Sequence, residues 1–120
     1  MDGHVRELVL KRTVCGRDIG VYVLSTDEGV HVSVFGGERT HIGAVSIVDP
    51  AGAQQDLQFP GHRDAAVASK YARTLSRAGI RPAVVEAGIH YDNITPETLT
   101  QTLSVTDTLL AELLAVMGVD

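Results

Sequence analysis

Three short segments of the chain place a histidine within two residues of a glycine. They are residues 37–43 (GERTHIG), 60–64 (PGHRD) and 88–93 (GIHYDN). Glycine lets the backbone come close to a ligand, and imidazole can donate or accept a hydrogen bond or bind a metal ion. Segments at the ends of neighbouring elements can meet in a ligand-binding crevice. We therefore treat these three as the candidate site segments.

The segment 60–64 is the best candidate for binding an anion. Gly61 allows a close backbone approach, and a helix that begins near Asp64 offers unpaired N–H groups and the positive end of its dipole. Arg63 would bind a phosphate with two hydrogen bonds. The alternative is an ordinary loop with an exposed arginine. Gly36 and Gly37 with Arg39 form a second, weaker candidate of the same kind.

A catalytic metal is one alternative for these histidines. His41, His62 and His90 would supply three imidazole ligands, as in many zinc enzymes. No HxH or HExxH spacing joins them, and each comes from a different element. Histidines that make hydrogen bonds at a pocket rim are the commoner arrangement.

Acid–base and nucleophilic catalysis are further alternatives. His90, Asp92 or Glu86 would serve as an acid or base, and a buried Glu86 would have a raised pKa, whereas an edge-facing or paired one would not. Ser46 lacks a GxSxG motif, and Cys15 lies far along the chain from every histidine segment. The residues favour binding over catalysis.

The periodicity of the sequence predicts an α+β fold. It consists of a largely antiparallel sheet of five or six strands, with two helices mostly on one face, in the order ββββ(β)αβα. The apolar run 83–90 predicts a strand that is buried on both faces. Thr95 and Pro96 predict the N-cap and first position of the last helix. The predicted strands are 5–14, 19–26, 30–35, 41–48, 54–59 (an edge strand or a loop) and 83–90, and the predicted helices are 64–78 and 96–117.

The composition limits the class of protein. A chain of 120 residues is expected to form one domain, residues 1–120. A formal charge of −5 and an aromatic content of 4% argue against nucleic acid as a partner. No apolar run approaches the roughly 20 residues of a membrane span, and we expect no secretory signal. The single cysteine fits a reducing compartment, so we expect a cytoplasmic protein. The helical stripe of Lys70, Arg73 and Arg77 is expected to face solvent, with an acidic partner as the alternative.

The segments 41–46 (HIGAVS), 61–64 (GHRD) and 88–94 (GIHYDNI) occur in this order, and with them the chain resembles the LpdD-like family of prenylated-flavin chaperones. Members of this family are also described as proFAR isomerase-associated proteins. The resemblance extends from the second strand to the last helix. It implies a non-catalytic carrier of prenylated FMN, or of FMN, which receives its cargo from a flavin prenyltransferase and delivers it to a UbiD-like apo-decarboxylase.

The resemblance also indicates which residues bind the cofactor. The phosphate is expected at the start of the first helix, and the ring in an apolar slot with polar groups at its edge. The expected cofactor-binding residues are Arg39, His41, Ile42, Gly43, Ser46, Gly61, His62, Arg63, Gly88, His90 and Asn93. Two alternatives stay open, a metal-dependent enzyme that uses the three histidines and an assembly factor without a ligand. We expect a homo-oligomer, with a dimer favoured, because an open sheet leaves edge strands unpaired.

Overall fold

A computed structural model describes residues 3–61 and 63–119 of the protein. Six strands form one sheet in the order β1-β2-β3-β6-β4-β5. Strand β6 lies between β3, to which it is parallel, and β4, to which it is antiparallel, and the other neighbours are antiparallel. The strands are β1 Arg6–Val14, β2 Arg17–Thr26, β3 Gly29–Gly37, β4 Arg39–Val48, β5 Gln54–Gln58 and β6 Ala83–His90.

Two helices cover one face of this sheet. Helix α1, Ala65–Arg77, packs on β4, β5 and β6, and helix α2, Pro96–Val116, packs on β1 and β2. The core between the helices and the sheet is built mainly from valine, alanine and leucine. The predicted α+β class and the order of elements are confirmed, and residues 54–58 form the edge strand rather than a loop. No helix among the described residues combines the length and hydropathy needed to cross a membrane.

The prediction that residues 83–90 are buried on both faces is wrong. Ala83, Val85 and Ala87 are buried beneath the helices, but Val84 is 37% exposed on the other side, and the side chain of Glu86 is 20% exposed. A strand with a continuous apolar run is buried on both faces when helices cover both sides of the sheet. Here both helices lie on one side.

We call the uncovered side of the sheet the open face. It carries apolar side chains from five strands, each between 37% and 57% exposed: Val9, Tyr22, Leu24, Ile47, Leu57 and Val84. Monomeric proteins rarely expose contiguous apolar patches of this kind unless the patch has a binding role.

Candidate functional site

Strand β4 contains a bulge opposite Gly88 of β6. Thr40 pairs with Ile89 and Ala44 pairs with Ala87, so residues 41–43 all lie opposite this single glycine. A Cβ atom on Gly88 would overlap the carbonyl oxygen of His41 and would lie 3.3 Å from its Cα. The bulge therefore depends on the missing side chain at position 88.

Gly43, at the end of the bulge, is also required by close packing. A Cβ atom on Gly43 would overlap Oδ2 of Asp64 and would lie 3.0 Å from Nε2 of His41. The space beside both Gly43 and Gly88 is thus filled by other atoms of the protein. These two motif glycines make room for the bulge and for a carboxylate.

Asp64 joins the three candidate segments. Its side chain is 10% exposed and stands at the N-terminal end of α1, yet it makes no capping hydrogen bond to that helix. Instead, Oδ2 lies 3.0 Å from Nε2 of His41, and Oδ1 accepts a hydrogen bond of 3.1 Å from the backbone N–H of Ile89. The carboxylate therefore ties the start of α1 both to the bulge and to the end of β6.

Arg39, His90 and Asp92 form an exposed cluster at the same end of the sheet. Nε2 of His90 lies 2.9 Å from Nη2 of Arg39 and 2.8 Å from Oδ1 of Asp92. A guanidinium always donates and a carboxylate accepts, so one ring nitrogen cannot serve both partners at the same time. The pKa of Asp92 is lowered, first by the hydrogen bond with His90 and further by the charge of Arg39. Arg39 and His90, which could each bind an anion, therefore lie next to the carboxylate of Asp92.

Glu38 holds this cluster together. Its N–H donates to the carbonyl oxygen of His90 at 2.7 Å, and its Oε1 accepts from the N–H of Asp92 at 3.2 Å. The rings of His41 and His90 meet edge to face, with centroids 6.3 Å apart. The segments 37–43 and 88–93 thus converge directly, and segment 60–64 joins them through Asp64.

The other predicted site residues lie in several places. Ile42 is 46% exposed, Arg63 and Asn93 are exposed, and Gly61 has a φ of 81° in the turn before α1. His62 lies outside the described residues. Their assignment to a cofactor stays a prediction.

Ser46 belongs to a different network. It is fully buried on the helix side, where its hydroxyl donates to Asp56 of β5 and accepts from Nε2 of Gln54 at 3.1 Å. Gln54 also donates to the Ser69 hydroxyl of α1 at 3.0 Å. The pKa of Asp56 is lowered chiefly by the Ser46 hydrogen bond. The structure therefore does not bring Ser46 together with the histidine cluster.

Sequence reasoning did not identify Asp64 and Glu38 as residues of the site. Asp64 belongs to the candidate segment 60–64, but the sequence predicts only a helix start there, because an aspartate in that position usually caps its own first turn. The available signal is its position as the last residue of the segment 60–64. Glu38 stands between a glycine and Arg39, and its role depends on contacts across 54 residues of chain.

No group of three or more His, Cys, Asp or Glu side chains that could hold a metal occurs within residues 3–61 and 63–119. His41 and His90 each direct Nε2 to a carboxylate.

A comparison with protein-family models matches residues 13–118 to the prenylated flavin chaperone LpdD-like domain. The chain belongs to this family. The matched region begins near the end of β1 and includes every candidate segment described above. No curated protein matches the chain. The family description links the protein to prenylated flavin and to a chaperone role, which agrees with the resemblance inferred from the three motifs.

Proposed function

We propose that the protein is a non-catalytic carrier that holds prenylated FMN, or FMN itself, and delivers it to a UbiD-like decarboxylase. One observation carries this proposal: in a chain of the prenylated flavin chaperone family, Arg39 and His90 meet at an exposed end of the sheet, which Asp64 ties to the start of α1. The cargo would come from a flavin prenyltransferase in the cytoplasm, and we favour a dimeric carrier.

The residues present fit a phosphate group. The Arg39 side chain is 70% exposed, so it can offer a bidentate pair of N–H donors to a phosphate without a buried charge to desolvate. His90 offers a further donor in the tautomer that places the hydrogen on Nε2. Arg63 is exposed directly before α1, whose N-terminus carries the positive end of the helix dipole.

The exposure of the site suits transfer of a cofactor. Arg39 and Asp92 are 70% and 56% exposed, so a partner enzyme can reach a phosphate bound there without unfolding the carrier. Prenylated flavin supplies the decarboxylation chemistry only after it is bound by the enzyme that receives it. The residues of the carrier only bind and orient the cofactor.

Spectroscopic titration with FMN, prenylated FMN and riboflavin tests the proposal. Arg39→Ala and Arg63→Ala should each weaken FMN binding about 10- to 100-fold, as expected for loss of a charge-assisted hydrogen bond. Riboflavin lacks the phosphate, so its affinity should not change. Arg77→Ala is the matched control, since Arg77 is an exposed arginine in the last turn of α1. Failure of every flavin to bind more tightly than about 1 mM, or roughly 4 kcal/mol, would refute the carrier function.

Delivery needs a separate experiment. An apo-decarboxylase should be activated faster by the loaded carrier than by the same concentration of free prenylated FMN in the presence of oxygen. Equal activation rates, with and without the carrier, would leave a flavin-binding protein that does not act as a chaperone.

A further inference from the structure

A carboxylate lies in the middle of the open face. Register partners form a row across all six strands, and its two central members are Ser33 of β3 and Glu86 of β6. The other members of the row are Val9, Tyr22, Val45 and Leu57. An acidic side chain is costly in such apolar surroundings unless hydrogen-bond donors meet it.

The donors that meet Glu86 use only one of its oxygens. Oε1 accepts a hydrogen bond of 2.5 Å from the Ser33 hydroxyl and lies 3.2 Å from Nε2 of His31. Among the described residues, neither Lys nor Arg pairs with this carboxylate, and Oε2 has no hydrogen-bond partner. Since these residues include no buried polar side-chain atom without a partner, Oε2 is accessible from the open face. It is therefore available as an acceptor for a ligand.

A depression and two aromatic rings lie near His31 and Ser33, the two side chains that contact Glu86. The depression has a volume of about 200 Å³ and lies over β1, β2 and β3. Its lining includes Glu7, Tyr22, His31 and Ser33 but neither Glu86 nor Phe35. The rings of Tyr22 and Phe35 are 6.3 Å apart, and Phe35 stands between two strand glycines, Gly20 of β2 and Gly88 of β6. This part of the open face offers a flat heterocycle an aromatic and apolar surface, with the carboxylate of Glu86 on one side and that of Glu7 on the other.

The Arg39 and His90 cluster is at one end of the same face. Arg39 and His90 are register partners, and His90 lies four residues after Glu86 on β6, so both project to the open face. The two positions are separated by roughly 13 Å along the strand. Phe35, next to Gly88, lies between them. A ligand with a phosphate at one end and a flat ring with an N–H edge at the other would contact both positions.

We propose that the open face binds the flavin ring system, with Oε2 of Glu86 accepting the N3–H of its pyrimidine edge while Arg39 and His90 hold the phosphate. This inference rests on the proposed carrier function and adds the place and polarity of the ring. It assigns the flavin ring to the open face and gives Glu86 a role in selecting the ligand.

A chemical double-mutant cycle tests the inference. The ligands are riboflavin and 3-methylriboflavin, which lacks the N3–H, and the proteins are the full-length wild type and Glu86→Gln. The wild type should prefer riboflavin over 3-methylriboflavin by about tenfold or more, as expected for a hydrogen bond to a charged acceptor. Glu86→Gln should bind riboflavin about tenfold more weakly and should lose most of this preference. Glu97→Gln, on an exposed turn of α2, is the matched control.

The outcomes separate the ring site from the carrier function. If FMN binds in an Arg39-dependent way but Glu86→Gln retains the full riboflavin affinity, the ring site is refuted and the carrier function stands. If no flavin binds to the wild type, both fail. Glu86→Gln keeps the volume of the side chain, and an unchanged melting temperature will show that it is folded. If the protein is a dimer and Leu24→Asp dissociates it without any change in flavin affinity, the open face binds a second copy of the chain and the proposal is overturned.

Discussion

Gly88→Ala tests whether a single missing side chain determines the geometry of the candidate site. The new methyl group would overlap the His41 carbonyl oxygen, a backbone atom that cannot swing aside as the end of a side chain can. The bulge at 41–43 would have to withdraw from β6. The hydrogen bond between His41 and Asp64, at 3.0 Å, would be lost with it.

The expected loss of stability combines two effects. Crowding in a packed position costs about 1–3 kcal/mol, and a hydrogen bond to a charged group contributes about 1.5–3 kcal/mol. Because the two effects involve the same bulge, they will not add fully, and we expect the free energy of unfolding to fall by about 2–4 kcal/mol. For a domain of this size, that corresponds to a decrease in melting temperature of about 8–16 °C.

Thermal unfolding followed by circular dichroism, with NMR of the histidine rings, measures the effect. Gly20→Ala is the matched control, because it adds a methyl group to a strand glycine on the open face whose nearest neighbour is the movable ring of Tyr22. Its free energy of unfolding should change by less than about 1 kcal/mol. If Gly88→Ala melts within about 3 °C of the wild type and leaves the His41 resonances in place, the bulge does not depend on Gly88 and our reasoning is wrong.

Three further predictions concern single side chains. Burial raises the pKa of Tyr71, whose hydroxyl donates to the Thr106 carbonyl. The contribution of Tyr71 to the free energy of unfolding should therefore be fully present below about pH 10 and fall above it. Tyr71→Phe should lower the free energy of unfolding by about 1 kcal/mol at pH 7 and should flatten the alkaline decline in melting temperature. The Ser46 hydrogen bond lowers the pKa of Asp56 from its ordinary 3.8. The contribution of Asp56 to stability should therefore be present above about pH 4 and disappear as the solution becomes more acidic. Asp56→Asn should show a smaller acid-induced fall in melting temperature. Asp92→Asn should bind FMN more tightly than the wild type, because it removes a carboxylate that competes with phosphate for Arg39; an equal or weaker affinity in calorimetric titration would contradict this.

The elements themselves could be predicted because their signals are local. Alternating apolar residues, or in β6 a continuous apolar run, predict the strands. Thr95 caps α2 as predicted, accepting a hydrogen bond of 3.1 Å from the N–H of Thr98. Glu97 lies in the first turn of that helix, where the dipole favours an acid. Each of these signals depends on residues a few positions apart, which a single sequence contains in full.

The position of β6 could not be predicted in the same way. Its insertion between β3 and β4 depends on pairings such as Val34 with Ala87 and Ser46 with Val85, which are distant in sequence. The error about its second face had a visible cause. Glu86 alternates with the apolar residues that α1 covers. A polar residue at this position indicates that the second face of the strand is open, but the apolar residues around it favoured burial.

The candidate site was only partly predictable, for a physical reason. The residues predicted to contact the cofactor come from the motif segments that carry the family resemblance, in which histidine, arginine and glycine are distinctive. Asp64 acts by joining three separate segments, and no local pattern distinguishes such a carboxylate from a helix cap. Gly43 and Gly88 were noticed as ligand-approach glycines, but the structure shows that other atoms of the protein occupy the space beside them.

A carrier must bind its cargo and also release it, and under the proposed function the Arg39, His90 and Asp92 cluster would meet both requirements by the same contacts. Oδ1 of Asp92 lies 2.8 Å from Nε2 of His90 and 3.6 Å from Nη2 of Arg39, so both side chains already have an anionic neighbour. A phosphate bound by Arg39 and His90 would have to displace this carboxylate, which would limit the affinity gained from the two side chains. When the cofactor leaves for another protein, Asp92 can return and satisfy them again, so release does not leave unpaired charges. A site with buried, permanently unpaired donors would bind phosphate more tightly but would oppose its transfer.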